Sequence, residues 1–197
     1  HCWEDHLATL NVVQRQQFPL SDMVEPQQKV RIVHQAPWFI LDDFFPNLLT
    51  GFRVAEFNAH LQAFPQMQIM SSLAEFTDHF SAYRLLYPEL AQRIGQYVPS
   101  RLQGAKFAYI TFLNNAHQYL DDLRRFQIPF VLNLYPGGGL GLNEAESDHK
   151  LLRVLASPLL KAIIVTQPVV ENYLNQLAQT HSLRLPPLVD AAKLWQK

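Results

Sequence analysis

Residues 129–148 read Pro-Phe-Val-Leu-Asn-Leu-Tyr-Pro-Gly-Gly-Gly-Leu-Gly-Leu-Asn-Glu-Ala-Glu-Ser-Asp. An apolar strand, Phe130–Tyr135, runs straight into glycines 137, 138, 139 and 141, and from there into a helix whose first turn carries acids. Asn143 is placed as the N-cap of that helix, with Glu146 three residues on as its capping-box partner. Glu146 and Lys150 form an i,i+4 pair in the favourable order. Leu151, Leu152 and Leu155 make the buried stripe, and Ser157-Pro158 ends it.

The same unit recurs on either side. Upstream, Lys106–Leu113 is a run rich in aromatic and β-branched residues and reads as a strand. Ala116–Phe126 follows as an amphipathic helix, with Ala116, Tyr119, Leu120 and Leu123 on one stripe. Downstream, Lys161–Thr166 reads as a strand buried on both faces. Pro168 opens a helix whose core face is Val169, Val170, Tyr173, Leu174, Leu177 and Ala178, and a last strand is placed at Leu183–Val189. Strands alternating with helices imply right-handed crossovers. The fold class is therefore α/β, a Rossmann-like doubly wound parallel sheet with helices on both faces.

The first half is less regular. Lys29–Gln35 reads as a strand ending at Ala36-Pro37-Trp38, and Asp42–Pro46 as a loop. A helix carrying Val54, Phe57, Leu61 and Phe64 stops at Pro65, and Met67–Ser71 reads as a short strand. Residues 73–103 suggest helices separated by Pro88 and Pro99. Residues 1–28 are an N-terminal extension, 29–190 the Rossmann-like domain, and 191–197 the start of a linker or tail. This arrangement places Gln35–Trp38, Asn114-Asn115, Tyr135–Asn143 and Thr166-Gln167 on one edge of the sheet.

A net charge of −1 gives no electrostatic footprint for nucleic acid. No apolar run approaches the roughly 20 residues that span a bilayer. The single cysteine, Cys2, excludes an internal disulfide framework and fits a reducing compartment, hence an expected cytoplasmic location.

The glycine loop must first be tested as a phosphate loop. A dinucleotide fingerprint needs G-x-G-x-x-G; from Gly137 the third position is Leu142, and from Gly139 it is Glu144. That spacing disfavours a dinucleotide-binding oxidoreductase, and no Gly-Lys-Ser/Thr follows. Glu144, Glu146 and Asp148 fill the helix start that a phosphate would occupy. Carboxylates and amides beside a glycine backbone suit sugar hydroxyls, which take donors and acceptors without formal charge. The alternative is that the acids only offset the helix dipole.

Asn114, Asn115 and Gln167, at strand ends, are candidates to orient a polar ligand, or are simply turn residues. Trp38 is placed either to stack on a sugar or to cover the core. Asp42 and Asp43 are either a general base or capping groups. His117 is the histidine best placed for the loop edge, and the eight histidines show no metal spacing.

The segment from Lys106 to about Asp190 resembles the N-terminal, acceptor-side domain of GT-B glycosyltransferases. The likeness lies in Phe107–Leu113 ending in Asn114-Asn115-Ala116-His117, in Phe130–Tyr135 opening into an acceptor-type loop, and in Lys161–Gln167 preceding the helix Pro168–Ala178. Leu185–Asp190 looks like the stretch before an interdomain linker. Many relatives carry His after the Pro129–Tyr135 type of strand, where this chain has Tyr135-Pro136-Gly137.

The resemblance implies a domain that presents a hydroxyl-bearing acceptor, such as a carbohydrate, while a C-terminal domain or partner chain binds the nucleotide-sugar. No cofactor or metal is expected in this domain, and sugar transfer is expected to need the second one. The acceptor-side residues implied are Tyr135, Gly137, Gly138, Gly139, Gly141, Asn114, Asn115 and Gln167, with Glu144 or Asp148 as base. A non-catalytic accessory or carbohydrate-recognition subunit is the alternative.

Overall fold

Short apolar runs bounded by proline, glycine or a charge become strands here, and each is followed by a segment of helical period. The structure, a computed structural model, describes residues 36–191. The expected extension 1–28, the expected strand Lys29–Gln35 and the tail after residue 191 lie outside the described residues.

The strands are β1 (Trp38–Asp42), β2 (Met67–Ser71), β3 (Ile94–Gln96), β4 (Phe107–Thr111), β5 (Phe130–Leu134), β6 (Leu160–Val165) and β7 (Leu188–Asp190). The helices are α1 (Phe52–Ala63), α2 (Phe76–Leu86), α3 (Pro88–Ala91), α4 (Leu113–Arg125), α5 (Ala145–Leu155) and α6 (Pro168–Thr180). The strands form one sheet in the order β3-β2-β1-β4-β5-β6-β7, parallel at every pairing. The chain moves outward from β1 to β3, then restarts beside β1 with β4 and moves the other way. This is the Rossmann-like doubly wound fold expected from the sequence.

Strand side chains alternate between faces. Ile110, Leu132 and Ile163 therefore join the core under α4, α5 and α6, with Leu120, Leu151 and Leu174. Ile40, Ile69 and Tyr109 face the other way and pack with Phe57 of α1 and Tyr83 of α2. The stripe Ala116, Tyr119, Leu120 and Leu123 is buried as its spacing required.

Several expectations need correction. Trp38 is the first residue of a strand: its N–H bonds Gln66 O, so residues 36–38 lie at the amino edge of the sheet, opposite the carboxyl ends of the strands. Asp42 is the last residue of that strand, not a loop residue. Proline before the first strand residue removes no ladder bond, so Pro37 is compatible with a strand that begins at Trp38. Within 73–103 the three-residue strand β3 pairs with β2.

The strand expected over 183–189 is only Leu188–Asp190, because Pro186 and Pro187 offer no N–H to the ladder. Leu113 and Asn114 already belong to α4. Val169 and Phe64 are exposed rather than core. Asn143 does not cap α5; Glu144 occupies the N-cap without a side-chain bond, and Glu146 pairs with Lys150 instead.

Candidate functional site

In doubly wound sheets ligands gather at the carboxyl edge, above all where the strand order reverses. Here that point lies between β1 and β4, and the chain's own side chains occupy it. Asp42 is fully buried. Its Oδ1 accepts the N–H groups of Phe44 and Phe45 at 2.9 and 2.7 Å. Asn115 Nδ2 donates to its Oδ2 at 3.2 Å and to Thr111 O at 2.9 Å.

The Arg53 guanidinium sits between the rings of Phe44 and Phe112, 4.9 and 4.8 Å from their centroids, with Nε 3.5 Å from Asp42 Oδ2. Burial raises the Asp42 pKa, outweighing the lowering by Arg53 and the two amides. Asp42 is thus a capping and closing group. Asn115, a sequence candidate for ligand binding, is 1 % exposed and serves the same closure. Phe112 holds φ 76°, a strained conformation for a side-chain-bearing residue, and its ring packs on Phe52, Tyr135 and Arg53.

The open groove lies one strand further, over β5. It has a volume of about 350 Å³ and is lined by Asn114, Gly139–Gly141, Glu144, Glu146, Ser147 and Lys150, within the size range of small-molecule sites. The loop is pinned from within. Gly138 O accepts Asn114 N–H at 2.9 Å and so closes the first turn of α4, while Leu140 N–H bonds Gly137 O. Gly141 N–H donates to Ser147 Oγ at 3.0 Å, and Asn143 N–H to Tyr173 Oη at 2.9 Å. Gly138 and Gly139 press against the Phe112 ring and the Asn114 amide with no room for a Cβ.

Those bonds narrow the ligand chemistry. A phosphate nest needs several free loop N–H groups aimed at one point, and those of 140, 141 and 143 are engaged within the protein. Lys150 bonds Asn114 Oδ1 at 3.0 Å and Glu146 Oε1 at 2.7 Å, and it holds the Glu146 carboxyl below its usual range. One lysine against Glu144 and Glu146 leaves the groove negative. Asn114 Nδ2 remains as a donor and the Glu144 carboxylate as an acceptor, which suits hydroxyl groups.

The other sequence candidates are spread out. Asp148 accepts the Tyr173 hydroxyl, tying α5 to α6, and is not part of the groove lining. Tyr135 turns to the opposite face of the sheet, where its Oη meets Glu56 Oε2 at 3.4 Å. Gln167 is the exposed N-cap residue of α6, beside the next strand end and outside the lining. His117 accepts from Arg153 Nη1 at 3.2 Å between α4 and α5. Lys150 and Ser147 were missed; the i,i+4 pairing of Glu146 and Lys150, the one available signal, gave no hint that Lys150 also reaches α4.

Among the described residues, no cluster of three or more His, Cys, Asp or Glu could hold a metal, and no helix is long and apolar enough to cross a membrane. No family model, curated protein or solved structure matches the chain.

Proposed function

We propose that this chain is the acceptor-binding domain of a GT-B-type glycosyltransferase, presenting a hydroxyl-bearing acceptor, such as a carbohydrate, to a nucleotide-sugar held by a second domain. The observation that carries the reading is the negative groove at the carboxyl edge of β5, with Asn114 as donor and Glu144 as acceptor. Glu144, whose carboxylate has no side-chain partner among the described residues, would take the hydroxyl proton as the oxygen bonds the anomeric carbon and that carbon's bond to the nucleotide's phosphate oxygen breaks, the nucleotide leaving on the donor domain. Both walls of such a cleft are needed to orient two reactants, so transfer requires the donor domain.

A second reading, a carbohydrate-recognition subunit without catalysis, is favoured by the engagement of Asp148 with Tyr173 and of Glu146 with Lys150. These bonds leave Glu144 as the groove's free acid.

Calorimetric titration of the chain with a panel of neutral oligosaccharides tests the common core of both readings. Saturable binding that weakens at least tenfold in Asn114→Ala and Glu144→Gln is expected. Binding unchanged by either substitution, or none across the panel, contradicts it. Glycosyl transfer by the chain joined to its donor domain, abolished in Glu144→Gln even at saturating acceptor, separates the catalytic reading from the recognition one.

A further inference from the structure

On the other face of the sheet lies a second groove, of about 520 Å³, which the acceptor reading does not use. Its walls are apolar: Phe52, Ala55 and Ala59 of α1 on one side, and Tyr109 and Ile164 of the sheet on the other. Tyr135 closes one end, its ring 5.1 Å from that of Phe52. The His60 ring lies 4.7 Å from Tyr109.

The polar atoms on these walls are one-sided. Tyr109 Oη donates to Glu56 Oε1, and Tyr135 Oη donates to Glu56 Oε2. Asn133 Nδ2 donates to Glu56 Oε1 at 3.1 Å and to Tyr109 Oη at 2.7 Å. His60 Nδ1 lies 2.7 Å from Glu56 O; a carbonyl only accepts, so Nδ1 carries a proton. Every polar hydrogen on the Tyr109, Tyr135 and Asn133 side chains is therefore engaged. The vacant positions on Asn133 and Glu56 are acceptors: Asn133 Oδ1 and the remaining lone pairs of Glu56.

Asn133 is 4 % exposed and its Oδ1 has no partner among the described residues. A buried amide oxygen left unpaired keeps an uncompensated desolvation penalty, and a ligand donor would remove it. The Glu56 carboxylate, set in a largely apolar groove, adds attraction for a cation, since charges interact more strongly where water is scarce.

We infer that this groove binds an organic ammonium with a flat apolar body, its N–H groups on Asn133 Oδ1 and Glu56 and its body between α1 and Ile164. A carboxylate ligand would face Asn133 Oδ1 and the Glu56 carboxylate and is repelled. A neutral alcohol offers a single hydrogen and binds more weakly.

The test is an NMR titration of the full chain with 2-phenylethylamine, 2-phenylethanol and phenylacetate. One saturable site for the amine is expected, with amide shifts centred on 55–60, 109, 133 and 164. The amine should bind at least tenfold more tightly than phenylacetate, with the alcohol between them. Ala59→Trp, an exposed wall position that leaves the core untouched, should abolish amine binding, and Glu56→Gln should weaken it at least fivefold. Equal binding of phenylacetate, or amine binding that survives Ala59→Trp, overturns the assignment, as does no saturable binding. Because α1 and the β5 loop lie on opposite faces, Ala59→Trp leaves oligosaccharide binding at Asn114 and Glu144 unchanged, so the two sites fail separately.

Discussion

Two residues show how local chemistry builds the carboxyl edge. Gly139 has φ 91° and no space for a methyl beside Asn114, whereas Gly137, at φ 82°, has open space around it. Gly137→Ala carries only the left-handed backbone penalty, about 1–2 kcal/mol. Gly139→Ala adds a steric clash with the groove's amide donor and should lose clearly more. Urea denaturation of the two variants measures the difference, and equal losses would mean that the loop does not press on α4.

Asp42 gives a pH signature. Its pKa is raised from 3.8 by burial, so the folded state holds the proton to higher pH than the unfolded chain. Its contribution to stability then falls as pH rises from 3.8 through the raised value. The advantage of wild type over Asp42→Asn should shrink across that window. Asn at 42 also turns an amide hydrogen toward Asn115 and Arg53, a loss of about 1–3 kcal/mol. An advantage that grew with pH would contradict the burial of the carboxylate.

Among the elements, α4 joins fold and site. One side carries Leu120 and Leu123, both fully buried, while its first turn holds Asn114 against the glycine loop. Leu120→Ala should cost about 2–5 kcal/mol through lost transfer energy and a residual cavity, measured by denaturation. On its flank, Arg153 donates two bonds to Asp121, at 2.6 and 2.7 Å, and a third to His117. Partial burial and the neighbouring arginine lower the His117 pKa from 6.5. The stability this neutral imidazole contributes is present above pH 6.5 and lost as pH falls toward the lowered value. His117→Gln, which keeps an acceptor for Arg153, should remove that acid-side slope in thermal melts.

The units β4-α4, β5-α5 and β6-α6 were legible because each strand is a dense apolar run and each helix shows a strong stripe. β1 was not, since Pro37 reads as punctuation and Phe39-Ile40-Leu41 is too short to outweigh it. The site was half legible. Asn114 and Asn115 are adjacent in sequence, but about 100° apart on a helix they diverge, one to the groove and the other under Asp42. Only the start of α4 at Leu113 separates them, and helix ends are the least readable feature of a sequence. The Asp148–Tyr173 bond joins helices 25 residues apart in sequence, a separation no periodicity reveals.

At the scale of the whole molecule, the reversal of strand order fixes where a ligand is expected, yet Asp42, Asn115 and Arg53 close that point. The open groove is displaced to β5, where the glycine loop leaves space between α4 and α5. The central claim is that hydroxyl-bearing ligands bind there. Amide-resolved NMR of the chain during titration with a neutral oligosaccharide that it binds tests this most directly. Shifts confined to residues 113–115 and 138–147 are the expected result; shifts centred instead on 42–53, or on the opposite face of the sheet, would contradict it.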